Sequence, residues 1–296
     1  MGKTKIIGTG LSGLVGSRLA EILQNNYSFI DFSLETGVDI LDIKSLEKHF
    51  LENKEAKAVV HLAAFTDTNA AWSQRGDKSG LCYRLNVLGT KNIVKLCQEY
   101  GRYLIYVSTD FVFSGQKDGA YTEEDTPDPI EWYGQTKRWA EEAVLESSLP
   151  AAIIRLSYPF RAFFPKKTDL IRKIIEGLKN QTLYPLFADQ IITPTFIDDF
   201  AKGIDFFLKE KPVGIFHLVG ESHLSPYEVG LEVARTFGFD LKLVKKGSLK
   251  EYEQNAPAGS RPFQRNLALD NQKITSLGIK ILPFVAALQK VKEQFS

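Results

Sequence analysis

The chain has 296 residues, of which 44% are hydrophobic and 25% charged, an ordinary composition for a globular protein. Its 37 lysines and arginines face 36 aspartates and glutamates, and this net charge of +1 argues against a nucleic-acid footprint or a membrane-seeking basic surface. No apolar run approaches the roughly 18 residues of a membrane span and no N-terminal signal is visible, so we expect a cytoplasmic protein with no membrane partner.

Short β-rich runs alternate with helical stretches in the first half of the chain. A helix is predicted through Arg18 to Leu23, directly after the first strand. The predicted strands are near-continuous apolar runs at residues 5–7, 29–32, 58–62, 103–107 and 151–156. Strands of this kind suit a parallel sheet that is covered on both faces. The pattern predicts an α/β fold with a Rossmann-type, doubly wound parallel sheet.

The alternation becomes less regular after about Tyr158. Helices are predicted near residues 170–178 and 197–208, and strands at residues 183–186 and 214–218. A further helix has a clear start, with Ser225 as N-cap, Pro226 as first residue and Glu228 as capping-box partner. We expect residues 1–158 to form the sheet domain, with segments near 190–218 returning to it, and residues 159–296 to form mainly a smaller C-terminal lobe.

The segment from Gly8 to Gly16 predicts a phosphate-binding loop. It follows a strand and opens an amphipathic helix, which is the context that a GxGxxG pattern requires. Gly10 and Gly13 would let the backbone approach a pyrophosphate, and Gly16 would let the helix pack closely on the strand. We expect the following loop residues to contact a cofactor: Gly8, Gly10, Leu11, Ser12, Gly13, Leu14 and Val15.

The end of the second strand bears on the choice between NAD and NADP. An acidic residue at this tip would bind the adenosine ribose of NAD, but the strand register places Ser33 there, and not Asp31. Ser33 would not repel a 2′-phosphate, so NADP is permitted, although no nearby arginine demands it. Asp42 and Ile43 could hold the adenine edge and face. The alternative for Asp42 is a cap on the helix that starts near Ser45.

Tyr133 and Lys137 are four residues apart, which places them on one face of a predicted helix. The ammonium can lower the pKa of the phenol while both groups point into one pocket, so the pair can act as an acid/base device. Chance can also supply this spacing on a solvated helix face. The functional interpretation gains weight because Ser108-Thr109-Asp110 precedes the pair and a glycine-rich loop opens the chain.

The cysteines and histidines predict neither a disulfide nor a metal site. Cys82 and Cys97 form no CxxC pair, and we expect two buried thiols on or near one helix. The four histidines show no ligand spacing. His61 and His217 lie in apolar strands, where we expect buried imidazoles held by hydrogen bonds.

In their order and spacing, these motifs resemble those of the extended short-chain dehydrogenase/reductases, and in particular the dTDP-4-dehydrorhamnose reductase branch. The shared motifs are residues 10–16, His61-Leu62-Ala63-Ala64, Asn86, residues 108–113 and residues 133–137. Further matches to the branch are residues 121–127, Asp189-Gln190 followed by Pro194-Thr195, and Ser260-Arg261-Pro262. The resemblance covers nearly the whole chain.

The resemblance implies a reductase in which Tyr133 protonates the substrate oxygen while NADPH or NADH delivers hydride to the adjacent carbon. Thr109 would hydrogen-bond that oxygen. Lys137 would bind the nicotinamide ribose and keep the pKa of the phenol low, and Asn86 would shape the active-site helix and support proton relay. Besides Tyr133 and Lys137, the residues expected along the cofactor in this region are Leu62, Ala63, Ala64 and Thr66.

The resemblance also implies a nucleotide-linked 4-keto-6-deoxy sugar as substrate. Its expected contacts are Thr66, Thr109, Asp110, Phe111, Tyr158 and Arg261. Departures from the branch leave the identity of the sugar undecided. Phe111 replaces an aromatic that carries a hydroxyl, Tyr158 lies where tryptophan is usual, and the loop over residues 67–78 is altered. Arg261 could grip a diphosphate bidentately or form a surface salt bridge. Asp189, Gln190 and Thr195 are expected to be structural.

The same motifs are compatible with two other functions. An epimerase or dehydratase would use the same three side chains while recycling its cofactor. A non-catalytic, NADP-binding regulatory subunit, which the chain resembles in the β subunit of methionine adenosyltransferase, would explain the altered pocket, although the intact side-chain set argues for an enzyme. Relatives often form homodimers, but no motif here decides the oligomeric state.

Overall fold

The computed structural model describes residues 2–295 of the chain. Its strands are β1 (Thr4–Thr9), β2 (Tyr27–Phe32), β3 (Ala58–His61), β4 (Tyr103–Thr109), β5 (Ala151–Leu156), β6 (Pro159–Phe160), β7 (Leu186–Phe187), β8 (Thr195–Phe196), β9 (Gly214–His217) and β10 (Lys246–Gly247). Its helices are α1 (Leu14–Leu23), α2 (Ile43–Glu52), α3 (Thr68–Trp72), α4 (Leu81–Tyr83), α5 (Thr90–Glu99), α6 (Trp132–Glu146), α7 (Leu170–Lys179), α8 (Ile197–Glu210), α9 (Pro226–Phe237), α10 (Leu249–Asn255), α11 (Gln272–Ser276) and α12 (Phe284–Phe295).

Six strands form one parallel sheet in the order β2-β1-β3-β4-β5-β9. The chain leaves β1 toward β2 on one side and then returns to place β3 on the other side of β1. Such a reversal opens a crevice at the carboxyl ends of the strands, where this class of sheet binds its ligands. The predicted α/β fold is confirmed, and the crevice lies where the glycine-rich loop follows β1.

Both faces of this sheet are buried, which is why its strands read as continuous apolar runs rather than alternating ones. In β1, for example, Ile6 belongs to the core on one face and Ile7 to the core on the other. Val60 and Val59 divide in the same way in β3. The free thiols of Cys82 and Cys97 are both buried, as predicted.

A third core lies among α7, α9 and α12, where Ile174, Val233 and Leu288 are fully buried. Helix α9 starts with the predicted capping box of Ser225 and Glu228. The expected strand at residues 183–186 is wrong in its bounds, since β7 begins only at Leu186 and pairs with β10. The preceding residue is a proline, which has no N–H to donate to a strand ladder.

Segments from the second half of the chain also lie in the sheet layer. Strand β9 pairs with β5, and α8 contributes Phe200 and Phe207 to the core that also contains residues of β1. Arg18 of α1 forms an ion pair with Asp198 of α8 at 2.6 Å. The division of the chain at residue 158 into a sheet domain and a smaller lobe remains our prediction, with these crossings built into it.

Candidate active site

The glycine-rich loop has the shape that a dinucleotide requires. Gly10 has a φ of +69°, and a Cβ at this position would lie 2.7 Å from the backbone nitrogen of Ala63. A Cβ at Gly16 would collide with the carbonyl of Gly10, so the start of α1 packs directly on the loop. A glycine-rich loop at a helix N-terminus, in the crevice of a parallel sheet, fits the pyrophosphate of NAD or NADP.

The residues after β3 are fixed to the end of β1. Leu62 donates its backbone N–H to the carbonyl of Thr9 at 3.2 Å, and Ala63 donates to the Thr9 hydroxyl at 3.1 Å. His61 continues this network, with its ring nitrogens 2.6 Å from the hydroxyl of Thr9 and 3.0 Å from that of Thr90. Burial lowers the pKa of His61 to about 3, so the imidazole is neutral, as expected for a structural histidine.

The tip of β2 lies where the adenosine end of a dinucleotide is expected in this class of sheet. Ser33 directly follows β2, and its hydroxyl lies 3.0 Å from the carboxylate of Asp31, two residues earlier in the chain. The side chain of Asp42 accepts the backbone N–H groups of Lys44 and Ser45. The capping alternative therefore describes Asp42, and an adenine contact by Asp42 and by Ile43, the first residue of α2, stays a prediction.

Helix α6 presents Tyr133 to the carboxyl end of β4. Glu131 caps the helix by accepting the backbone N–H groups of Tyr133, at 2.9 Å, and Gly134. Gly134 is a glycine for a steric reason, because a Cβ there would collide with the carbonyl oxygen of Phe111. The close contact places Tyr133 beside the segment that follows β4.

Thr109 and Tyr133 meet at this point. Thr109 is the last residue of β4, and its hydroxyl is near enough to the Tyr133 phenol to act to lower the pKa of that phenol. The Phe111 ring packs edge-on against the Tyr133 ring, with their centroids 5.8 Å apart. The hydroxyl of Thr109 also donates to the buried carboxylate of Asp110 at 2.8 Å. The structure thus brings four of the expected site residues together.

Burial shapes the acid/base character of Tyr133 and Lys137. The pKa of Tyr133 is raised above its ordinary value by burial, with the carboxylates of Asp110 and Glu131 adding to the shift. Burial lowers the pKa of Lys137 to about 7. The net shift of the phenol's pKa is upward because desolvation and the two acids outweigh the effect of Thr109, and the expected lowering by Lys137 stays a prediction. A phenol that keeps its proton is the form that a general acid requires.

Lys137 is held between β4 and the crevice. Its ammonium donates to the carbonyl of Val107 at 2.7 Å and lies 4.3 Å above the ring of Tyr106. The helix that carries it is fixed to β5 by a buried ion pair between Glu141 and Arg155 at 2.8 Å. The position of Lys137 is therefore set by its own contacts with β4 and by the ion pair that holds α6 to β5.

Asn86 lies in a π-helical turn, Arg84–Gly89, which leads into α5. Its amide donates to the hydroxyl of Thr136 at 2.9 Å, and its oxygen accepts the backbone N–H of Phe65 at 2.7 Å. The Thr136 hydroxyl in turn donates to the carbonyl of Tyr133. Asn86 thus ties α6 to the segment after β3, and its part in proton relay stays a prediction.

Asp110 is a buried acid whose two oxygens are both engaged. Thr109 donates to one oxygen, and Ser157 donates to the other at 2.7 Å. Burial raises the pKa of Asp110 to about 6, although both hydrogen bonds act in the other direction. Because its oxygens are occupied from the protein side, Asp110 orients Thr109 and the start of the loop after β5.

The structure places Tyr158 and Arg261 at the other side of the site. Tyr158 has a φ of +38°, a backbone conformation that non-glycine residues rarely adopt and that often marks functional sites. Arg261 donates to the side-chain oxygen of Asn69 at 3.1 Å and lies 4.1 Å from the Phe263 ring centroid. Burial lowers the pKa of Arg261, while the carboxylate of Glu131 acts to raise it.

The altered loop after Thr66 forms one wall with the segment of Arg261. Besides the bond to Asn69, the indole of Trp72 donates to the carbonyl of Gly259 at 2.8 Å. The salt-bridge alternative for Arg261 is not observed, since this arginine has no ion pair within residues 2–295. Its guanidinium is held by neutral groups.

Asp189, Gln190 and Thr195 make structural contacts, as expected. Asp189 accepts three hydrogen bonds at the start of α10, from the Ser248 hydroxyl and two backbone N–H groups. Gln190 donates to the carbonyl of Gln264 at 2.8 Å, and Thr195 accepts the backbone N–H of Gly220. These contacts join distant segments of the second half of the chain.

Three residues beside the site escaped the sequence analysis. Glu131 caps α6, Ser157 holds Asp110, and Lys167 donates to the hydroxyl of Thr66 at 3.0 Å. Only Glu131 carried a sequence signal, because the helix dipole favours an acidic side chain at the start of a helix. Ser157 and Lys167 reach the site through tertiary contacts that no local pattern encodes.

Residues 2–295 hold neither a candidate membrane span nor a candidate metal cluster. No helix there is long and apolar enough to span a bilayer. Nor do any three histidine, cysteine, aspartate or glutamate side chains among these residues come together as a metal site would require.

Three features together are typical of the extended short-chain dehydrogenase/reductase class. They are a doubly wound parallel sheet, a glycine loop in its crevice, and Thr109, Tyr133 and Lys137 at its edge. The model of the RmlD substrate binding domain family matches residues 4–296. The chain belongs to this family and is an NAD(P)-dependent oxidoreductase of the extended short-chain dehydrogenase/reductase type. Structures of this fold have been solved with NADP and with NAD bound.

Individual relatives are distant. The chain is 26% identical over 275 residues to the "Probable low-salt glycan biosynthesis reductase Agl14" of Haloferax volcanii, covering 89% of each chain. It is 27% identical over 290 residues to the methionine adenosyltransferase 2 subunit beta of Rattus norvegicus, covering 93% of this chain and 83% of the relative. A dTDP-4-dehydrorhamnose reductase structure from Clostridium acetobutylicum superposes with a TM-score of 0.87 at 25% identity, covering 99% of both chains.

Proposed function

We propose that the protein reduces the keto group of a nucleotide-linked 4-keto-6-deoxy sugar, with Tyr133 as the general acid. The observation that carries the proposal is the meeting of Thr109 and Tyr133 at the end of β4, beside the buried ammonium of Lys137. The dTDP-4-dehydrorhamnose reductase of Clostridium acetobutylicum and the glycan biosynthesis reductase of Haloferax volcanii support this substrate class.

The side chains divide the chemistry between them. A bound reduced nicotinamide supplies the hydride to the carbonyl carbon. Thr109 turns its hydroxyl from Asp110 to the carbonyl oxygen of the substrate and fixes the position of that oxygen. Tyr133 donates its phenolic proton to the same oxygen as negative charge develops. Lys137 would hold the nicotinamide ribose, and its positive charge stabilises the phenolate that remains when Tyr133 gives up its proton. Arg261, with no ion pair within residues 2–295, binds the diphosphate of the substrate.

The decisive experiment is a cofactor-oxidation assay with a panel of nucleotide-linked 4-keto-6-deoxy sugars. We expect the absorbance of the reduced nicotinamide to fall with at least one of them. The Tyr133→Phe variant should lose about 10²- to 10⁴-fold in turnover, the range for removal of a general acid, and should still bind cofactor. Absence of turnover across the panel by a protein that binds cofactor would exclude the reductase proposal.

A non-catalytic subunit is the second candidate, because the rat methionine adenosyltransferase 2 subunit beta is as similar to the chain as the reductases are. The buried and polar contacts around Tyr133 argue for chemistry, since a regulator has no need for a positioned proton donor. The Tyr133→Phe variant separates the two functions in cells. A cellular activity that depends on the protein and survives this change at full strength would favour the subunit.

An epimerase or dehydratase would use the same three side chains and end with its cofactor in the starting oxidation state. The assay distinguishes this function directly. Such an enzyme would convert a nucleotide sugar with no net consumption of reduced nicotinamide, whereas the proposed reductase consumes one equivalent for each product formed.

A further inference from the structure

Residues 163–167, here called the strap, come from the second half of the chain and contact the tips of two sheet strands. Lys166 forms an ion pair with Glu35, in the turn after β2, at 2.9 Å. Lys167 donates to the hydroxyl of Thr66, which lies beyond the end of β3, at 3.0 Å. In the sheet β1 lies between these two strands. The strap therefore crosses the edge at which the glycine-rich loop opens.

The conformation of the strap is fixed from inside the protein. Arg172 of α7 is buried, and its guanidinium donates to the backbone carbonyls of Phe164 and Lys167. A carboxylate oxygen of Asp169 holds the same guanidinium at 2.7 Å. Shortly before the strap, Arg161 donates to the hydroxyl of Ser17 on α1 at 2.9 Å. The two lysines are thus presented by a segment that is tied to α1, the helix that follows the glycine-rich loop.

The tip of β2 lacks a cation of its own. In Rossmann-type sheets the adenosine ribose lies at this tip, and a 2′-phosphate there requires a positive partner. The sequence of the tip, Ser33-Leu34-Glu35-Thr36, contains none. Lys166 brings an ammonium to the tip from 131 residues away.

The environment of this ammonium suits an exchangeable partner. The side chains of Lys166 and Glu35 are 59% and 62% exposed, and exposed ion pairs of this kind stabilise a protein only weakly. A phosphate monoester carries about −1.5 to −2 charges at neutral pH and offers three acceptor oxygens, so it is a stronger partner than one carboxylate. Leu34 and Phe163, one in each segment, are also exposed and offer apolar surface to an adenosine.

We propose that Lys166 binds the 2′-phosphate of NADP, that Glu35 is the counter-ion of Lys166 when no 2′-phosphate is present, and that the protein consequently prefers NADP to NAD. Binding moves Lys166 from Glu35 to the phosphate while the strap stays in place. Because the carboxylate of Glu35 repels the phosphate, it limits how strong the preference becomes. The proposal concerns the cofactor alone and does not depend on the identity of the sugar.

Isothermal titration with adenosine 2′,5′-bisphosphate and with adenosine 5′-monophosphate tests the proposal without turnover. We expect the wild-type protein to bind the bisphosphate about tenfold more tightly, which corresponds to one charge-assisted contact. The Lys166→Met variant should lose this difference and bind the monophosphate as before. The Glu35→Gln variant should bind the bisphosphate several-fold more tightly and the monophosphate unchanged.

The pair of Lys5 and Glu55 supplies a matched control. It is a similarly exposed ion pair, at 2.6 Å, near the start of β1 and so at the opposite end of the sheet from the glycine loop. The Lys5→Met variant should leave both titrations unchanged. Equal affinity of the wild-type protein for the two nucleotides, or an equal loss of both in Lys166→Met, would overturn the proposal. Titrations with NADPH and NADH should show the same pattern.

Discussion

The carboxylate of Glu131 accepts the backbone N–H of Tyr133 at 2.9 Å. The N-cap of α6 is therefore a buried acid that contacts the backbone of the proposed proton donor. The charge of Glu131 acts to raise the pKa of the Tyr133 phenol, and it interacts with the guanidinium of Arg261. One residue thus couples the geometry of the helix to the electrostatics of both sides of the site.

Glu131 should make the stability of the protein fall as pH rises through neutrality. Burial raises the pKa of this carboxyl to about 7 in the folded protein, whereas its ordinary value is 4.5. A raised pKa means that the folded state binds the proton more tightly, so the contribution is fully present below pH 4.5 and is lost as pH approaches 7. We expect Glu131→Gln to remove this pH dependence in urea unfolding.

The informative quantity for Glu131 is the difference in the free energy of unfolding between wild type and variant at each pH, because other carboxyls also titrate. Asp110, whose pKa is raised to about 6, contributes with the same sign at lower pH. The Asp110→Asn variant should therefore flatten the acidic part of the curve and leave the part near neutrality in place. A Glu131→Gln protein with the wild-type pH profile would show that the burial of the carboxyl does not control its proton affinity.

Lys137 should give the opposite pH dependence. Burial lowers its pKa to about 7, whereas the unfolded chain has the ordinary value of 10.5. The folded state therefore binds fewer protons than the unfolded state between these values, and stability rises with pH across that window. We expect Lys137→Met to be more stable than wild type at pH 7, with a smaller difference at alkaline pH, by chemical denaturation without cofactor.

Gly134 should tolerate no side chain. A Cβ there would collide with the carbonyl of Phe111, and this backbone cannot move without displacing Thr109 or Tyr133. We expect Gly134→Ala to lower the free energy of unfolding by about 1–3 kcal/mol, the cost of overpacking, and to reduce turnover further than stability predicts. Gln135→Ala, at the next position of the same helix, is the control and should do neither.

Removal of one partner from the buried pair of Arg155 and Glu141 should destabilise the protein more than replacement of both partners by apolar residues. Both side chains are almost fully buried, and Glu141 accepts two hydrogen bonds from Arg155. Glu141→Gln should lower the free energy of unfolding by about 3–5 kcal/mol, because it leaves a buried guanidinium without a counter-ion. The double variant Glu141→Leu with Arg155→Met should recover part of that loss in thermal unfolding. No recovery would point to a role beyond charge balance.

Several parts of the fold were predictable because local periodicity encodes them. Continuous apolar runs predicted the parallel sheet, since strands buried on both faces need apolar residues at every position. The capping box of Ser225 and Glu228 was visible because all its partners lie within three residues. The bounds of β7 were not, because a two-residue ladder depends on β10, some sixty residues further along the chain.

Local patterns in the amino-acid sequence were enough to indicate a candidate chemistry. They are a glycine loop after β1, and a threonine, a tyrosine and a lysine at spacings that a helix and a strand end bring to one place. The direction of the pKa shift on Tyr133 followed instead from the folded packing, because desolvation depends on everything packed around the phenol. The tertiary structure also decided that Lys166 reaches the tip of β2 and that Arg261 meets Asn69. These contacts join residues more than 130 positions apart, beyond the reach of any local pattern.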